Sequence, residues 1–378
     1  MVVSTIHWTT GDAQRSARWH SENRTPLPQR TAVADDRTKA ADAYRQACEG
    51  TALLWQGDFH NARQLLQAMG RRIDRKTPGS GTSPSESFRL HRRGSAHRAR
   101  VLGKLLVLLD DDYTLALRRA PEVRQACLDA YGPSKGPTAV SLRELLGVIG
   151  AHQWRSKGVD VPALGTRVHP HYGVFAPVRG EYVDLVAQAP LPPAVLRNPA
   201  TSTAFDLGTG TGVLAAVLAR RGVDRVVATD ISLRALACAR ENVQRLGLTD
   251  RVEVSGPGLF PEGRADLVVC NPPWLPSRPT SPIEQGVYDP DSTMLNGFLT
   301  GLCAHLRPGG EGWLVLSDLA EHLGLRTRRH LLDAIQAARL RVVDRIDTRP
   351  RHPRSEDAGD PLHAARSAEI TSLWRLTP

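Results

Sequence analysis

The chain has 378 residues, of which 41% are hydrophobic, so it is long enough to bury one large or two ordinary cores without disulfide cross-links. Its five cysteines are scattered without CxxC or Cys/His ligand spacing, which predicts a reducing compartment and no metal site. No apolar stretch reaches the length of a membrane span and residues 1–15 lack a signal-peptide pattern. We therefore expect a cytoplasmic protein without a membrane partner.

The net charge of +10 is concentrated in the N-terminal part of the chain. Residues 1–165 carry 25 basic and 16 acidic side chains, whereas residues 166–378 carry 24 and 23. Arginine outnumbers lysine 44 to 5, which indicates a proteome-wide preference for arginine. The total charge alone is therefore weak evidence for nucleic-acid binding. The local excess nevertheless favours an acidic partner such as nucleic acid.

The first 160 residues predict two segments. Residues 1–35 show no sustained period and predict a disordered lead-in. Residues 36–160 place apolar residues at three- and four-residue spacing and predict an all-helical domain, which either binds substrate or covers the sheet of the catalytic domain. The predicted helices are Ala40–Ala47, Leu53–Arg72, Leu102–Arg119, Pro121–Tyr131 and Ser141–Gln153. A Gly/Ser/Pro run at 77–85 predicts a loop between two of them.

Residues 161–378 alternate short apolar strands with helices. The predicted strands are Ala204–Leu207, Arg225–Thr229, Val252–Val254, Leu267–Cys270, Gly312–Leu316, Arg341–Asp347 and Glu369–Leu376. The predicted helices are Val213–Arg221, Leu233–Leu246, Met294–Leu306 and Arg326–Ala338. This order predicts an α/β domain with a doubly wound, seven-stranded, mostly parallel sheet. The last two strands, joined by a loop at 349–361 without a helix, should pair antiparallel.

The first strand of this domain runs into a glycine-rich turn and then a helix. Gly208, Gly210 and Gly212 follow Asp206 in the sequence Phe-Asp-Leu-Gly-Thr-Gly-Thr-Gly. Such a turn lets a ligand approach the backbone closely and meet helix N-terminal amides. The dinucleotide fingerprint GxGxxG does not fit, because the third glycine comes one residue early and Val213 takes its place.

The second strand ends at Asp230, 18 residues after Gly212. A carboxylate at that sheet edge can accept both hydroxyl hydrogens of a ribose. Alone, Asp230 could equally be a helix N-terminal charge, but beside a glycine-rich turn the ribose role is favoured.

The fourth strand ends in Asn271-Pro272-Pro273-Trp274, the most specific pattern in the chain. An amide oxygen and a proline-fixed backbone carbonyl are two convergent acceptors that suit a planar NH2 group. The face of Trp274 can stack on the flat group that carries this NH2.

From about Val174 to Pro378 the chain resembles class I S-adenosylmethionine-dependent methyltransferases with an (N/D)PP(F/Y/W) motif, the HemK-like or small-domain group. The group includes base amino-methyltransferases of DNA and RNA and glutamine methyltransferases of release factors. The resemblance implies that S-adenosylmethionine is the cofactor. It implies that Asp206, Gly208, Gly210 and Gly212 surround the methionine part, that Asp230 binds the ribose, and that Asn271, Pro272 and Trp274 bind the acceptor nitrogen.

The segment 172–186 is similar to the lead-in of the same families, which makes Phe175 and Glu181 further cofactor-binding candidates. Two departures limit the transfer. The turn Gly256–Phe260 lacks the acid with which many relatives contact adenine. The short helical N-terminal domain of the HemK type does not match residues 36–160, so the resemblance covers the catalytic half only.

The resemblance implies direct transfer of a sulfonium methyl to an amino nitrogen, which needs positioning more than acid or base groups. Three hypotheses follow. The leading one is methylation of an exocyclic amine of an RNA or DNA base, the second is methylation of a protein glutamine, and the third is a cofactor-binding module without catalysis. A small-molecule acceptor stays open.

A basic cluster between Arg71 and Arg100 holds nine basic residues against Asp74 and Glu86. Such a cluster can follow nucleic-acid phosphates, although few aromatic residues accompany it and a solvated surface is the alternative.

Overall fold

The computed structural model of the chain describes residues 4–75, 81–351, 357 and 359–378. The chain divides into two compact units. Unit 1 comprises Met1–Gly81 and Arg89–Gln153, and unit 2 comprises Thr82–Phe88 and Trp154–Pro378. The sequence predicted a domain boundary after residue 160. Within the described ranges, no helix is both long and apolar enough to cross a bilayer.

Unit 1 is built on a mixed six-stranded sheet. Its strands are β1 (Thr5–Thr10), β2 (Ala13–Trp19), β3 (Arg30–Ala34), β4 (Thr51–Trp55), β5 (Leu105–Leu109) and β6 (Thr138–Ser141). The sheet order is β1-β2-β6-β5-β4-β3. The helices of this part of the chain are α1 (Ala40–Cys48), α2 (Phe59–Asp74), α3 (Pro84–Leu102), α4 (Arg124–Tyr131) and α5 (Leu142–Lys157). The first residues of α3 and the last of α5 belong to unit 2.

The prediction of an all-helical N-terminal domain is wrong. The predicted helix Leu53–Arg72 overlaps the end of strand β4, and α2 begins only at Phe59. The predicted helix Leu102–Arg119 contains strand β5. Both strands are short apolar runs that are almost entirely buried, and such runs show no alternation that separates a strand from a buried helix. The capping residue of α2 is Asp58, whose carboxylate accepts hydrogen bonds from two first-turn amides.

The prediction of a disordered lead-in at 1–35 is also wrong for residues 4–35, and residues 1–3 lie outside the described residues. β1 and β2 pair antiparallel across the two-residue turn Gly11-Asp12, in which Gly11 has a φ of +59°. A glycine at this position is typical of tight hairpins. Ile6 and Trp8 of β1 are buried, and β3 pairs parallel with β4.

Unit 2 contains the remaining elements. Its strands are β7 (Val159–Val161), β8 (Thr166–Val168), β9 (Thr203–Leu207), β10 (Arg225–Thr229), β11 (Val252–Ser255), β12 (Ala265–Cys270), β13 (Leu306–Ser317), β14 (Arg341–Thr348) and β15 (Thr371–Thr377). Its helices are α6 (Glu181–Gln188), α7 (Pro193–Arg197), α8 (Val213–Arg220), α9 (Leu233–Arg245), α10 (Thr293–His305), α11 (Leu319–His322), α12 (Arg328–Ala337) and α13 (His363–Ala368).

The large sheet of unit 2 has the order β11-β10-β9-β12-β13-β15-β14, and each predicted strand overlaps one of these. The prediction of a mostly parallel sheet is confirmed, since only β15 runs antiparallel to its neighbours β13 and β14. Alternate strand residues enter two cores: Ala204 and Val226 pack with α8 on one face, and Phe205 and Val227 pack with α10 and α12 on the other. Burial of both faces explains the continuous apolar runs.

One connection in unit 2 differs from the prediction. The antiparallel pairing of the last two strands is present, but helix α13 lies between them where the sequence predicted only a loop. Residues 352–356 and 358 of the predicted loop at 349–361 lie outside the described residues. The same holds for residues 77–80 of the predicted loop at 77–85, whose last residues, Pro84 and Ser85, belong to α3.

Candidate active site

Three strand ends lie side by side at one edge of the unit 2 sheet. β9 is flanked by β10 and β12, and Leu207 is in register with both Thr229 and Cys270. The next residues along these strands are the glycine-rich turn, Asp230 and Asn271. Because parallel strands end at the same edge, three distant sequence segments meet where open α/β sheets bind ligands.

The glycine-rich turn, residues 208–212, is called the glycine loop below. Gly208, Gly210 and Gly212 have φ values of +69°, +55° and +82°, a left-handed conformation that disfavours any side chain. A Cβ atom built on Gly210 has no neighbour within 4 Å, so this part of the loop is open to a ligand. Gly212 leads directly into α8.

The side chain of Asp206 anchors the glycine loop through hydrogen bonds. Its side chain is 1% exposed and accepts hydrogen bonds from Thr209 Oγ1 at 2.6 Å and from the backbone N–H of Ala215 at 3.0 Å. The carboxylate thereby ties the loop to the first turn of α8. Burial raises the pKa of Asp206 from the ordinary value of 3.8 to about 6.

This raised pKa makes a prediction for the variant Asp206→Asn. At pH 4.5 the unfolded chain has already lost most of the Asp206 proton, whereas the folded chain loses it between about pH 4.5 and 7, so wild-type stability falls with rising pH. We expect the free energy of unfolding to fall by about 2 kcal/mol more in the wild type than in Asp206→Asn over this range. Urea denaturation at both pH values measures this difference. Equal pH dependence in the two proteins would contradict it.

Asp230 links the end of β10 to the glycine loop. Its Oδ2 accepts the backbone N–H of Gly210 at 3.1 Å, and its Oδ1 accepts that of Ser232 at 2.8 Å. Burial raises the pKa of this carboxyl group. Since an ionised carboxylate offers about four lone-pair positions, these bonds leave acceptor capacity for hydroxyl groups of a ligand.

Asn271 and Trp274 form a direct contact in the turn after β12. Asn271 Oδ1 accepts a hydrogen bond from the indole Nε1–H of Trp274 at 2.9 Å. Because an indole nitrogen can only donate, this bond fixes which end of the Asn271 amide is the oxygen. The oxygen keeps a second lone pair for an acceptor N–H group. Pro272, between the two residues, is buried.

The two lead-in candidates lie at and before the start of α6. Glu181 is the first residue of α6 and is 2% exposed, and its Oε1 has no hydrogen-bond partner among the described residues. A buried carboxylate oxygen without a donor is unfavourable, so a ligand donor is expected there. Phe175 is half-buried against the backbone of Gly286, whose Cβ, if present, would approach Phe175 Cβ to 2.7 Å.

The turn Gly256–Phe260, which holds no acidic residue, packs on the end of β10. The hydroxyl of Thr229 donates to the backbone oxygen of Leu259 at 2.6 Å, and the Gly258 N–H donates to the Asp230 backbone oxygen at 3.2 Å. Within this turn, contacts to an adenine amine can come only from backbone oxygens.

Comparison with known proteins identifies the family. The methyltransferase small domain family model matches residues 166–339. The release factor glutamine methyltransferase of Gloeobacter violaceus is 32% identical over 208 residues, which are 51% of this chain and 67% of that protein. This chain belongs to the small-domain methyltransferases.

Two further relatives of this small-domain methyltransferase share shorter segments. The release factor glutamine methyltransferase of Cereibacter sphaeroides is 35% identical over 173 residues, which are 42% of this chain and 60% of that protein. The ribosomal protein L11 methyltransferase of Vibrio parahaemolyticus is 37% identical over 99 residues, 26% of this chain. The chain thus spans 60% and 34% of the lengths of these two relatives.

S-adenosylmethionine is the cofactor of this family, and the residues at the sheet edge fit its chemistry. The cofactor carries a cationic amine and sulfonium, and the candidate residues include the buried carboxylates Asp206 and Glu181 and the half-buried carboxylate Asp230. The unpartnered Glu181 Oε1 suits an ammonium donor. The open glycine loop allows the close backbone approach that a bulky ligand needs.

His169, His171 and Asn242 have structural roles in the small-domain methyltransferase. His169 and His171 fix the segment before the catalytic domain, since His169 Nδ1 contacts Arg155 O at 2.6 Å and His171 Nε2 contacts Glu241 at 2.7 Å. Asn242 Nδ2 donates to backbone oxygens that include His169 O, at 3.1 Å. In the described parts of the chain, no group of three or more His, Cys, Asp and Glu is arranged to hold a metal ion.

Several contacts around the site were missed from the sequence. The Asp289 carboxylate accepts the backbone N–H of Met294 at 2.9 Å at the start of α10, and Met294 Cε lies over Gly208. Arg179 forms an ion pair with Glu369 at 3.2 Å. Asp289 lies five residues before Met294, so an aspartate ahead of a helix is a local sequence signal for this contact. Arg179 and Glu369 are 190 residues apart, and no sequence signal indicates their contact.

Proposed function

We propose that the protein transfers the methyl group of S-adenosylmethionine to a planar NH2 nitrogen. The observation that carries this proposal is the oriented Asn271 oxygen, held by Trp274 Nε1–H beside the glycine loop. In this proposal Asp206, Glu181, Phe175 and the glycine loop surround the methionine part of the cofactor. Asp230 accepts the ribose hydroxyl hydrogens.

The chemistry required of the protein is positioning. The cofactor, when bound, supplies an electrophilic methyl on a positively charged sulfur. An amide or aryl amine nitrogen is a poor nucleophile because its lone pair is delocalised. Asn271 Oδ1 and the Pro272 carbonyl accept its two hydrogens and direct the lone pair toward the methyl group, and Trp274 stacks on the planar group. The nitrogen releases one proton to solvent after transfer.

The acceptor that we favour is the side-chain amide of a protein glutamine. Two relatives, including the one with 67% coverage, are named release factor glutamine methyltransferases, and a third is named a ribosomal protein methyltransferase. A primary amide is planar and presents two N–H donors, as the Asn271 site requires. Those names make a protein substrate the first choice over the nucleic-acid base that the charge suggested.

A base amine is the second candidate, favoured by a basic face of α3. Arg89, Arg93 and Arg100 are exposed on this helix, and their spacing of four and seven residues places them on one face. Arginines in such a row can follow nucleic-acid phosphates, and their contribution weakens as salt rises. If a base amine is the acceptor, the double variant Arg93→Ala/Arg100→Ala should transfer less labelled methyl to nucleic acid than the wild type at low salt. Its affinity for the cofactor should be unchanged.

The test uses methyl-tritiated S-adenosylmethionine and an extract of cells that lack the gene. Labelled macromolecules are digested in parallel with nuclease and with protease. Label released only by protease supports the glutamine acceptor, and label released by nuclease supports the base amine. Asn271→Ala should slow labelling by about two to three orders of magnitude, whereas the exposed Asn198→Ala serves as the matched control. Absence of label in every fraction, together with measurable cofactor binding, would leave a cofactor-binding module without catalysis and contradict the proposal.

A further inference from the structure

A buried ion pair lies behind the indole of Trp274. Arg179 precedes α6, and Glu369 lies between α13 and β15. Arg179 Nη1 is 3.2 Å from Glu369 Oε1, and Nη2 is 3.5 Å from Oε2. The side chain of Glu369 is 0% exposed and that of Arg179 is 16% exposed, so the pair is well shielded from water.

A second contact anchors the carboxylate of this pair. The Ser317 hydroxyl, at the end of β13, donates to Glu369 Oε1 at 2.7 Å and itself accepts the Leu319 N–H at 3.0 Å. Glu369 is therefore fixed by the sheet as well as by Arg179. Desolvation of two charges opposes their Coulomb attraction, so a buried pair is by itself weak support for stability.

The pair contacts the site through the Trp274 ring. The guanidinium carbon of Arg179 lies 5.5 Å from the centroid of this ring, within the range of a cation–π interaction. A Trp side chain rotates about two bonds, and stacking under a fixed guanidinium restricts that rotation. The same ring donates its Nε1–H to Asn271 Oδ1 at 2.9 Å. A continuous set of contacts therefore runs from Glu369 to the acceptor oxygen of Asn271.

We propose that Arg179 and Glu369 are positioning residues that hold the Trp274 indole and, through it, the orientation of the Asn271 amide for methyl transfer. The inference rests on the proposed function, because Asn271 must bind the acceptor nitrogen for its orientation to matter. It assigns to the segment between α13 and β15 a part in a site otherwise built from strand ends. Small errors in the placement of a reacting group reduce the rate far more than the affinity.

The variant that tests this inference replaces both partners, since removal of one alone leaves a buried charge and destabilises the fold. Arg179→Met/Glu369→Gln is neutral, close in volume, and keeps a partner for Ser317. The matched control is Arg375→Met/Glu311→Gln, which removes a comparable buried pair with an N–O distance of 2.8 Å. Glu311 also accepts the Trp313 indole N–H at 3.2 Å, so the control resembles the test pair in its surroundings.

The first readout is the indole N–H resonance of Trp274 in a 1H–15N spectrum, assigned by its loss in Trp274→Phe. Asn271→Ala should move this resonance upfield because the acceptor is lost. Arg179→Met/Glu369→Gln should move or broaden it, while the control pair should leave it unchanged. A Trp274 resonance that is unchanged in Arg179→Met/Glu369→Gln, or unchanged in Asn271→Ala, would overturn the proposal without reference to activity.

The second readout is methyl transfer into macromolecules of an extract from cells that lack the gene, with S-adenosylmethionine as the varied substrate. Arg179→Met/Glu369→Gln should lower kcat by about tenfold or more and leave KM for the cofactor within about twofold. The single variant Arg179→Lys keeps both the charge and Glu369, so its kcat should lie between that of Arg179→Met/Glu369→Gln and that of the wild type. An unchanged kcat, or an equal loss in the control pair, would overturn the proposal. If the wild-type protein transfers no methyl group, the proposed function is wrong, and so is the proposed role of Arg179 and Glu369 in transfer. The indole resonance would then still decide whether these two residues hold the Trp274 ring.

Discussion

Replacement of Asn271 by alanine is expected to lower the rate of methyl transfer by about two to three orders of magnitude while the affinity for S-adenosylmethionine stays within about twofold. The change removes the acceptor oxygen that Trp274 Nε1–H orients at 2.9 Å. It leaves the glycine loop and Asp230 intact, since their hydrogen bonds do not involve Asn271. Steady-state transfer assays and isothermal titration calorimetry separate these two quantities.

Two companion variants sharpen this prediction. Asn271→Asp keeps an acceptor oxygen in the same place and should retain more activity than Asn271→Ala. Asn198→Ala, an exposed amide outside the site, should behave as wild type. If Asn271→Ala transfers methyl at the wild-type rate, the acceptor nitrogen is not held by this turn.

Replacement of Asp230 by alanine is expected to raise the Kd for S-adenosylmethionine by about 100-fold. The carboxylate accepts the N–H groups of Gly210 and Ser232 and is proposed to accept the ribose hydroxyl hydrogens as well. Hydrogen bonds to a charged group contribute about 1.5 to 3 kcal/mol each, and a loss of about 3 kcal/mol corresponds to this change in Kd. Calorimetric titration with the cofactor measures it directly.

The matched control for this variant is Asp224→Ala. Asp224 is an exposed acid immediately before β10, at the opposite end of the strand from Asp230. Its loss changes the net charge by the same amount, so a general electrostatic effect would appear in both variants. Equal cofactor affinity in Asp230→Ala and the wild type would show that the ribose is not bound at the end of β10.

The catalytic unit could be predicted in detail because its signals are local. Runs such as Leu267–Cys270 are apolar throughout, and a parallel sheet with two buried faces requires that pattern. Glycine, aspartate and asparagine follow directly after the strand ends, so the sheet topology brings them together. Serine is a residue type that favours helix N-caps, and Ser232 caps α9 with a hydroxyl that accepts the Ala235 N–H at 3.3 Å.

The N-terminal unit was mispredicted for physical reasons. Leu105–Leu109 has five apolar residues in a row, and periodicity does not separate a buried strand of that length from a helical turn. β2 reads Ala-Gln-Arg-Ser-Ala-Arg-Trp, in which only Ala17 and Trp19 are buried, so it shows no extended alternation. Its strand conformation depends on pairing with β1 and β6. β1 has a weak strand pattern, and β6 is more than 100 residues away in the sequence.

The site was predictable where its residues follow one another and not where they meet through the fold. Asn271 and Trp274 are three residues apart and bond directly. Arg179 and Glu369 are 190 residues apart, and their contact depends on how α6 and the segment before β15 pack. Neither residue type nor spacing indicates such a pair.

The measurement that tests the central claim most directly is the chemical position of the transferred methyl group. Wild-type protein and labelled S-adenosylmethionine are incubated with extract from cells that lack the gene, and the labelled product is hydrolysed and identified by mass spectrometry. We predict an N-methylated amide or amine, with N-methylglutamine as the first expectation, formed at least about 100-fold more slowly with Asn271→Ala. A methyl group on oxygen, sulfur or carbon would contradict the account, because the oriented Asn271 oxygen would then have no N–H group to bind.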